Sequence, residues 1–166
     1  MKASSFKAIV GLDARVLILG SLPGAASLAA GQYYAHPRNA FWAIMGELVG
    51  AAPTLPYTAR VQRLAERRIA LWDVCASARR IGSLDTAIQS DSVLPNDIAG
   101  FLSSHEDLSL VCFNGAKASE LFRRLVLPEL SPASSRIRRR TLPSTSPAHA
   151  GMPFAKKLEA WREALG

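Results

Sequence analysis

A chain of 166 residues, 49% hydrophobic and 20% charged, holds enough apolar material for one core and is expected to fold as a single domain over residues 1–166. Twenty Lys and Arg against thirteen Asp and Glu leave a net charge of +7, which points to a polyanionic partner, nucleic acid first, while apolar runs far below the roughly 20 residues that cross a bilayer exclude a spanning helix. Two cysteines and three histidines, with no HxxxH or HxH pair, exclude a four-cysteine zinc or iron–sulfur site and argue against any metal centre.

The opening "MKASSFKAIVGLDARV" has no sustained apolar stretch before Asp13 and Arg15, so a cytosolic protein without a secretory signal is expected. "RVLILGS" (Arg15 to Ser21) is a short apolar run ending at glycine, the pattern of a buried strand that stops at a turn. It runs into "GSLPGAAS", where Gly20, Ser21, Leu22, Pro23 and Gly24 form a bend that lets backbone approach a ligand, or serves only as a turn. The spacing matches neither GxGxxG nor GxxxxGK[ST], which removes the main support for dinucleotide or P-loop binding.

Next comes "GQYYAHPRNAFW", four aromatics and several polar side chains around one proline. A helix is expected from Asn39 to Val49, with Phe41, Trp42, Ile44 and Met45 reaching the core. Asn39 suits an N-cap there. Capping leaves Tyr33, Tyr34 and His36 without a reason, whereas stacking on a flat ligand supplies one. A helix from Ala59 to Arg68 leads to a strand from Arg68 to Ala76. "WDVCASARRIGSLD" brings Asp73 or Asp85 near the site, or leaves Asp73 bonded to backbone at a strand end; Asp85 after Ser83 reads as the opening of a helix, a structural residue.

A helix from Asp97 to Ser104 and a strand from Leu108 to Gly115 follow. That strand ends in "FNGAKAS". Asn114 there either forms an Asn-Gly turn or offers one acceptor and two donors to the edge of a nucleobase. Cys75 and Cys112, both in apolar segments, read as buried free thiols. After a helix from Ala116 to Val126, "LPELSPASSRIRRR" reads as a surface connection, and a strand is expected from Arg139 to Ser146. Ser144, Thr145 and Ser146, with the run that includes Arg139 and Arg140, suit phosphate contacts on a loop whose two prolines make it stiff enough to insert into a duplex, or a plain polar surface. A helix from Phe154 to Leu165 closes the chain.

Strands and helices therefore alternate, which predicts a three-layer α/β/α fold around a central, mostly parallel four-stranded sheet. Ligands gather at the carboxyl ends of such strands, so the site is expected where those four ends converge.

Read together, "GSLPGAASLAAGQYYAHPRNAFW", "LWDVCASARRIGSLDTAI", "VCFNGAKAS" and "LPSTSPAHA" resemble the uracil-DNA glycosylase superfamily, most closely its DNA-deoxyinosine (hypoxanthine-DNA) branch. The resemblance implies hydrolysis of the bond between a deaminated base and deoxyribose in DNA, with no cofactor and no metal. The mismatch-specific branch carries a water-positioning asparagine in its first motif, GINPG, where this chain has Ser21. In the deoxyinosine branch the catalytic asparagine lies in HPxNxFW and maps to Asn39, and a second, base-reading asparagine maps to Asn114. The late motif, often His-Pro-Ser or Asn-Pro-Ser, is Leu142-Pro143-Ser144 here.

On this reading Gly20 to Gly24, Tyr33, Tyr34, His36, Phe41 and Asn114 hold the flipped base, and Ser144, Thr145, Ser146, Arg139 and Arg140 hold the DNA backbone. No lysine but Lys117 falls in the motifs, so a monofunctional enzyme without a Schiff-base step is expected; separately, it is expected to be a monomer. Two alternatives stay open: a preference for uracil over hypoxanthine, and a noncatalytic module that binds damaged bases.

Overall fold

A computed structural model describes all of residues 1–166. In chain order the strands are β1 (Lys2–Ser4), β2 (Val16–Gly20), β3 (Ile69–Asp73), β4 (Cys75–Arg79), β5 (Leu94–Pro95), β6 (Leu110–Asn114) and β7 (Arg138–Leu142). The helices are α1 (Ala25–Ala30), α2 (Phe41–Val49), α3 (Tyr57–Glu66), α4 (Ile98–Ser104), α5 (Ala116–Leu125), α6 (Pro132–Ser135) and α7 (Phe154–Leu165).

The central sheet is parallel throughout, in the order β3-β2-β6-β7. Its middle strand, "VLILG", has no polar side chain because both its faces are covered. Leu17 and Leu19 point into a cluster with Ile98 and Leu102 of α4 and Ala118, Leu121 and Phe122 of α5. Ile18, between them, points the other way, toward Phe41, Ile44 and Met45 of α2, Leu64 of α3 and Trp161 of α7. The period-two alternation of one strand thus builds both outer layers. None of the helices is long and apolar enough to cross a membrane.

Local chemistry sets the helix ends. Asp97 caps α4 by accepting the Gly100 N–H at 2.9 Å. Gly50, at φ 77°, closes α2 in the left-handed conformation that glycine adopts without penalty. Cys75 and Cys112 are buried free thiols, and burial pushes the Cys75 thiol up to about 12.

The structure corrects four boundaries. The run from Arg68 to Ala76 is two strands, because the chain turns at Val74 and sends β4 into a separate antiparallel sheet, β1-β4-β5. That sheet has no apolar run to announce it; its strands "KAS", "CASAR" and "LP" are short and mixed. β7 stops at Leu142, so Ser144 to Ser146 lie beyond the sheet. α2 starts at Phe41 rather than Asn39, and the short α1 follows Gly24 where no helix was expected.

Candidate active site

The second strand of the sheet, β3, lies on one side of β2 and the third, β6, on the other. The crossover from β2 goes to β3 on one side and the next connection returns past β2 to β6 on the other, so the direction of winding reverses at β2 and a crevice opens at its carboxyl end. A cleft of about 240 Å³ sits there. Its lining comes from the Gly20–Ser27 segment, the Tyr33–Asn39 segment, Asp73, the Ser83–Asp85 loop, Asn114 and the Ser144–Ala148 loop.

The floor depends on Gly20. A Cβ at that position would lie 2.6 Å from Asp73 Oδ1 and 2.9 Å from the Tyr34 hydroxyl, so no other residue lets those two groups close over the strand end. Tyr34 is one of two non-glycine residues at positive φ, 54°. Such a turn costs on the order of 1–3 kcal/mol and is held by its surroundings. Here the preceding Tyr33 is fixed on both sides: its carbonyl accepts from Trp42 Nε1 at 2.8 Å and its N–H donates to the Tyr57 hydroxyl at 3.1 Å. The twist lays the Tyr34 ring on Phe41, with centroids 4.2 Å apart.

Two buried polar atoms at this floor have no hydrogen-bond partner in the protein, the Tyr34 hydroxyl and Asp73 Oδ2. Unpaired buried polar groups are uncommon and mark functional sites when they face a cleft. Burial, and then the neighbouring Asp85, pushes the Asp73 carboxyl up to about 7, with Arg80 opposing the shift. Burial, followed by the charge of Asp73, pushes the Tyr34 hydroxyl well above its ordinary range against an opposing pull from the Asn114 amide, which lies near it without a well-formed hydrogen bond, so the hydroxyl stays neutral.

The loop after β2 is held from behind. Arg80 is buried and donates to the carbonyls of Leu22, at 3.4 Å, and Pro23. The Ser21 hydroxyl donates to Asp85 Oδ1 at 2.5 Å. With its carbonyls engaged this way, the loop leaves the backbone N–H groups of Ser21, Leu22 and Gly24 without an acceptor in the protein. Fixed N–H donors of this kind stabilise negative charge that grows on a bound group.

Asn39 Oδ1 accepts the Phe41 N–H at 2.9 Å. This capping-type bond uses one lone pair and leaves both amide hydrogens free at the cleft, so capping and a chemical role are compatible. Asn114 makes a reciprocal pair with Thr145. Its Oδ1 accepts the Thr145 N–H and its Nδ2 donates to the Thr145 hydroxyl, both at 2.9 Å. The Thr145 carbonyl in turn accepts the Ala40 N–H at 2.9 Å. One residue therefore ties the end of β6 to the start of α2. Gly115, at φ +97°, lets the Ser144 loop approach to where a Cβ would be 3.1 Å from Ser144 Cβ.

Gly20 to Gly24, Tyr33, Tyr34, His36, Asn39, Asn114 and Ser144 to Ser146 all meet in this cleft, as expected from the sequence. Phe41 does not: it is fully buried and lies under Tyr34, between Trp42 and Trp161. Thr145 is 1% exposed and its polar groups are spent on Asn114 and Ala40, so it shapes the loop instead of contacting a phosphate. Arg139 and Arg140 also lie elsewhere. They sit within β7, with Arg139 bonded to the Ser135 carbonyl at 3.0 Å and Arg140 3.9 Å from Glu163 of α7. The strand expected from Arg139 to Ser146 is instead Arg138–Leu142, so both arginines lie inside the sheet and only residues 144–146 pass its carboxyl end.

Sequence reasoning left Asp73 open between the site and a backbone bond, set Asp85 aside as structural and missed Arg80. The Asp73 carboxylate bonds to no backbone group, and Asp85 does open a 3-10 turn (Asp85–Ala87) while also gripping Ser21. The available signal for Asp73 was a carboxylate closing a buried strand, beside the end of β2. For Arg80 there was none, since a buried arginine and a solvated one look alike in "SARRIGS".

With that geometry in place, comparisons with known proteins agree on one family. The sequence profile described as "Uracil DNA glycosylase superfamily" matches residues 7–165. Two relatives from Methanosarcina carry the name hypoxanthine DNA glycosylase. The one from Methanosarcina acetivorans is 36% identical over 140 residues, 79% of this chain and 87% of the relative. The one from Methanosarcina barkeri is 36% identical over 121 residues, 72% of this chain and 75% of the relative. The solution NMR structure of a candidate uracil DNA glycosylase from Methanosarcina acetivorans superposes with a TM-score of 0.78 at 30% identity, covering all of both chains.

Proposed function

Because the chain belongs to the uracil DNA glycosylase superfamily, we propose that it excises deaminated bases from DNA, hypoxanthine before uracil, and that the cleft at the end of β2 is where it does so. The observation that carries the reading is the convergence in one cleft of the Asn39 amide, the unpaired Tyr34 and Asp73 groups and the free N–H donors after β2. Its volume, about 240 Å³, is below the roughly 300–1,000 Å³ of drug-sized ligand sites and suits a single extruded base.

In this mechanism the target nucleotide leaves the duplex and its base enters the cleft. The Tyr34 face stacks on the base. The Tyr34 hydroxyl, protonated Asp73 and the free donor and acceptor of Asn114 meet its polar edge. As the glycosidic bond stretches, electrons collect on the departing base, and the N–H groups of Ser21, Leu22 and Gly24 stabilise them. Asn39 orients a water molecule toward the sugar carbon. Water adds its oxygen to that carbon, and its proton ends on the released base or solvent, leaving an abasic sugar. An amide is a poor base, so Asn39 contributes by positioning, which suits a bond that is largely broken before water attacks.

The hydroxyls of Ser144 and Ser146 hold the adjoining phosphates, on a loop fixed by Trp161 Nε1, which donates to the Pro143 carbonyl at 3.0 Å. The protein acts as a monomer, over residues 1–166, on this reading.

The test is excision from labelled duplexes carrying one deoxyinosine or one deoxyuridine, followed by alkaline cleavage of abasic sites. The expected result is strand cutting with inosine ahead of uracil and no effect of EDTA. Asn39→Ala should lower the single-turnover rate by about a hundredfold or more, while duplex affinity stays within about threefold. Full activity in that variant would remove Asn39 from its role. No cutting of either duplex by the wild type, with tight binding to both, would leave a reader of bases without chemistry.

A further inference from the structure

β7 and α5 face each other across a small cavity that the proposed chemistry does not use. Side chains two apart on a strand, or four apart on a helix, share a face, so Arg139 and Thr141 of β7 meet Ser119 and Arg123 of α5 there. Arg140, between the two strand residues, points the other way, toward Glu163 of α7. The cavity holds about 170 Å³ over an apolar floor that includes Phe113 of β6 and Phe122 of α5.

Its polar lining consists of donors. The Thr141 hydroxyl donates to the Ser119 hydroxyl at 3.0 Å, leaving the Ser119 hydrogen free to donate in turn. Arg139 uses one terminal nitrogen on the carbonyls of Ser135 and Ile137, at 3.0 and 3.4 Å, and keeps its Nε and its other terminal nitrogen unbonded. Arg123 bonds to nothing in the protein, although Arg124 beside it reaches Glu120 at 3.9 Å. No carboxylate lines the cavity.

An exposed arginine is most often only solvated. Two facts set this pair apart. Both arginines line one cavity without a carboxylate to neutralise them, and the charge around them is concentrated. Between Gly115 and Leu142 the chain carries seven Lys and Arg against Glu120 and Glu129, which is five of its seven net positive charges. Like charges at one site repel, and an anion between them reverses that effect. A planar guanidinium matches two oxygens of a phosphate, and a hydroxyl donor can complete its shell.

We propose that Arg123, Arg139, Ser119 and Thr141 form a second phosphate site, separate from the base cleft. The cavity is well below the roughly 300 Å³ at which drug-sized ligand sites begin, so it admits a phosphate group and not a whole nucleotide. β7 runs on into the Ser144 loop, which puts Arg139 no more than about 17 Å from Ser144 at about 3.4 Å per residue. Each strand of a duplex carries one phosphate per about 3.4 Å of axis. The site is therefore placed for a phosphate farther along the DNA than those beside the target nucleotide. A free phosphate group has the same chemistry. The DNA source rests on the glycosylase reading, and the site itself does not.

Two experiments on the full chain test it. In the first, inorganic phosphate is titrated at constant ionic strength, balanced with chloride, while backbone amide NMR shifts are followed. The amides of Ser119, Arg123, Arg139 and Thr141 should move together. Arg123→Ala, which removes a side chain with no partner in the fold, should weaken that binding about tenfold or more. In the second, anisotropy measures affinity for an undamaged duplex over a range of salt. Losing one phosphate contact lowers the slope of log affinity against log salt by about 0.9, and the double variant Arg123→Ala/Arg139→Ala should show that drop. Arg67→Ala, which removes an exposed cation after α3 at the amino end of the sheet, should not. Single-turnover excision by the double variant at saturating enzyme should stay within about threefold of wild type.

A lowered slope, with or without shifts from free phosphate, assigns the site to DNA. Shifts with an unchanged slope assign it to a free phosphate group. Neither shifts nor a slope change beyond that of Arg67→Ala overturns the site, and so do shifts that persist in the double variant. If the wild type excises neither hypoxanthine nor uracil, the glycosylase reading fails while both experiments still decide the site.

Discussion

Asp73 is where one side chain sets the most measurable behaviour. Its raised pKa, about 7, means that it is neutral below that pH and a carboxylate above it. A neutral acid donates to the leaving base, and a carboxylate repels the charge that base acquires. The single-turnover rate should therefore fall as pH rises through about 7, and Asp73→Asn, which donates at every pH, should flatten that limb. Stability follows the same sign. Between the ordinary carboxylate value and about 7 the folded state holds a proton that the unfolded chain has lost. Raising the pH through that window then costs at most about 1.4 kcal/mol per unit. Thermal melting from pH 4 to pH 8 should show wild type losing ground to Asp73→Asn up to about pH 7 and no further. The sequence disclosed Asn39 and Tyr34 because a polar and aromatic cluster beside a helix start has few other uses. It left Asp73 undecided, since the value of that carboxylate lies in being left unpaired by residues 20 and 34, far away in sequence.

Secondary elements were legible in proportion to their burial. The three apolar strands β2, β3 and β6 and the helices with apolar stripes were all readable, since burial on both faces or on one stripe imposes a pattern. β7 was misplaced because four of its five residues are exposed, and "RRRTL" at the sheet edge has no core to declare. The joint between elements was not legible either. "FNG" and "PSTS" gave no sign that Asn114 and Thr145 bond to each other across 31 residues. That pair predicts coupling. Asn114→Ala and Thr145→Val should each destabilise the fold, and the double variant should lose less than the sum, by about 1–2 kcal/mol in urea denaturation. Strict additivity would mean that the two bonds do not hold the loop to the sheet. Excision should fall in all three variants, because the Ala40 N–H bonded to the Thr145 carbonyl adjoins Asn39.

Across the whole molecule, charge and chemistry are separated. The net charge of +7 belongs to the surface, including the β7 arginines that lie away from the cleft, whereas the cleft floor contains Asp73 and Asp85 and no exposed cation. A basic exterior draws the phosphate backbone in, and an acidic floor in a closed cleft refuses phosphate while leaving room for a neutral base. Binding and bond breaking should therefore respond differently to salt. For a footprint of about four phosphates, raising salt from about 50 to 200 mM weakens duplex binding roughly a hundredfold through counterion release. The single-turnover rate at saturating enzyme should change less than about threefold over the same range, since the groups around the departing base are buried and screened little by ions. Anisotropy titrations alongside rapid-quench excision would measure both. A chemical step that fell in parallel with affinity would place exposed cations in the transition state, and the arginines of β7 would then have to reach the DNA beside the cleft from their places along the strand.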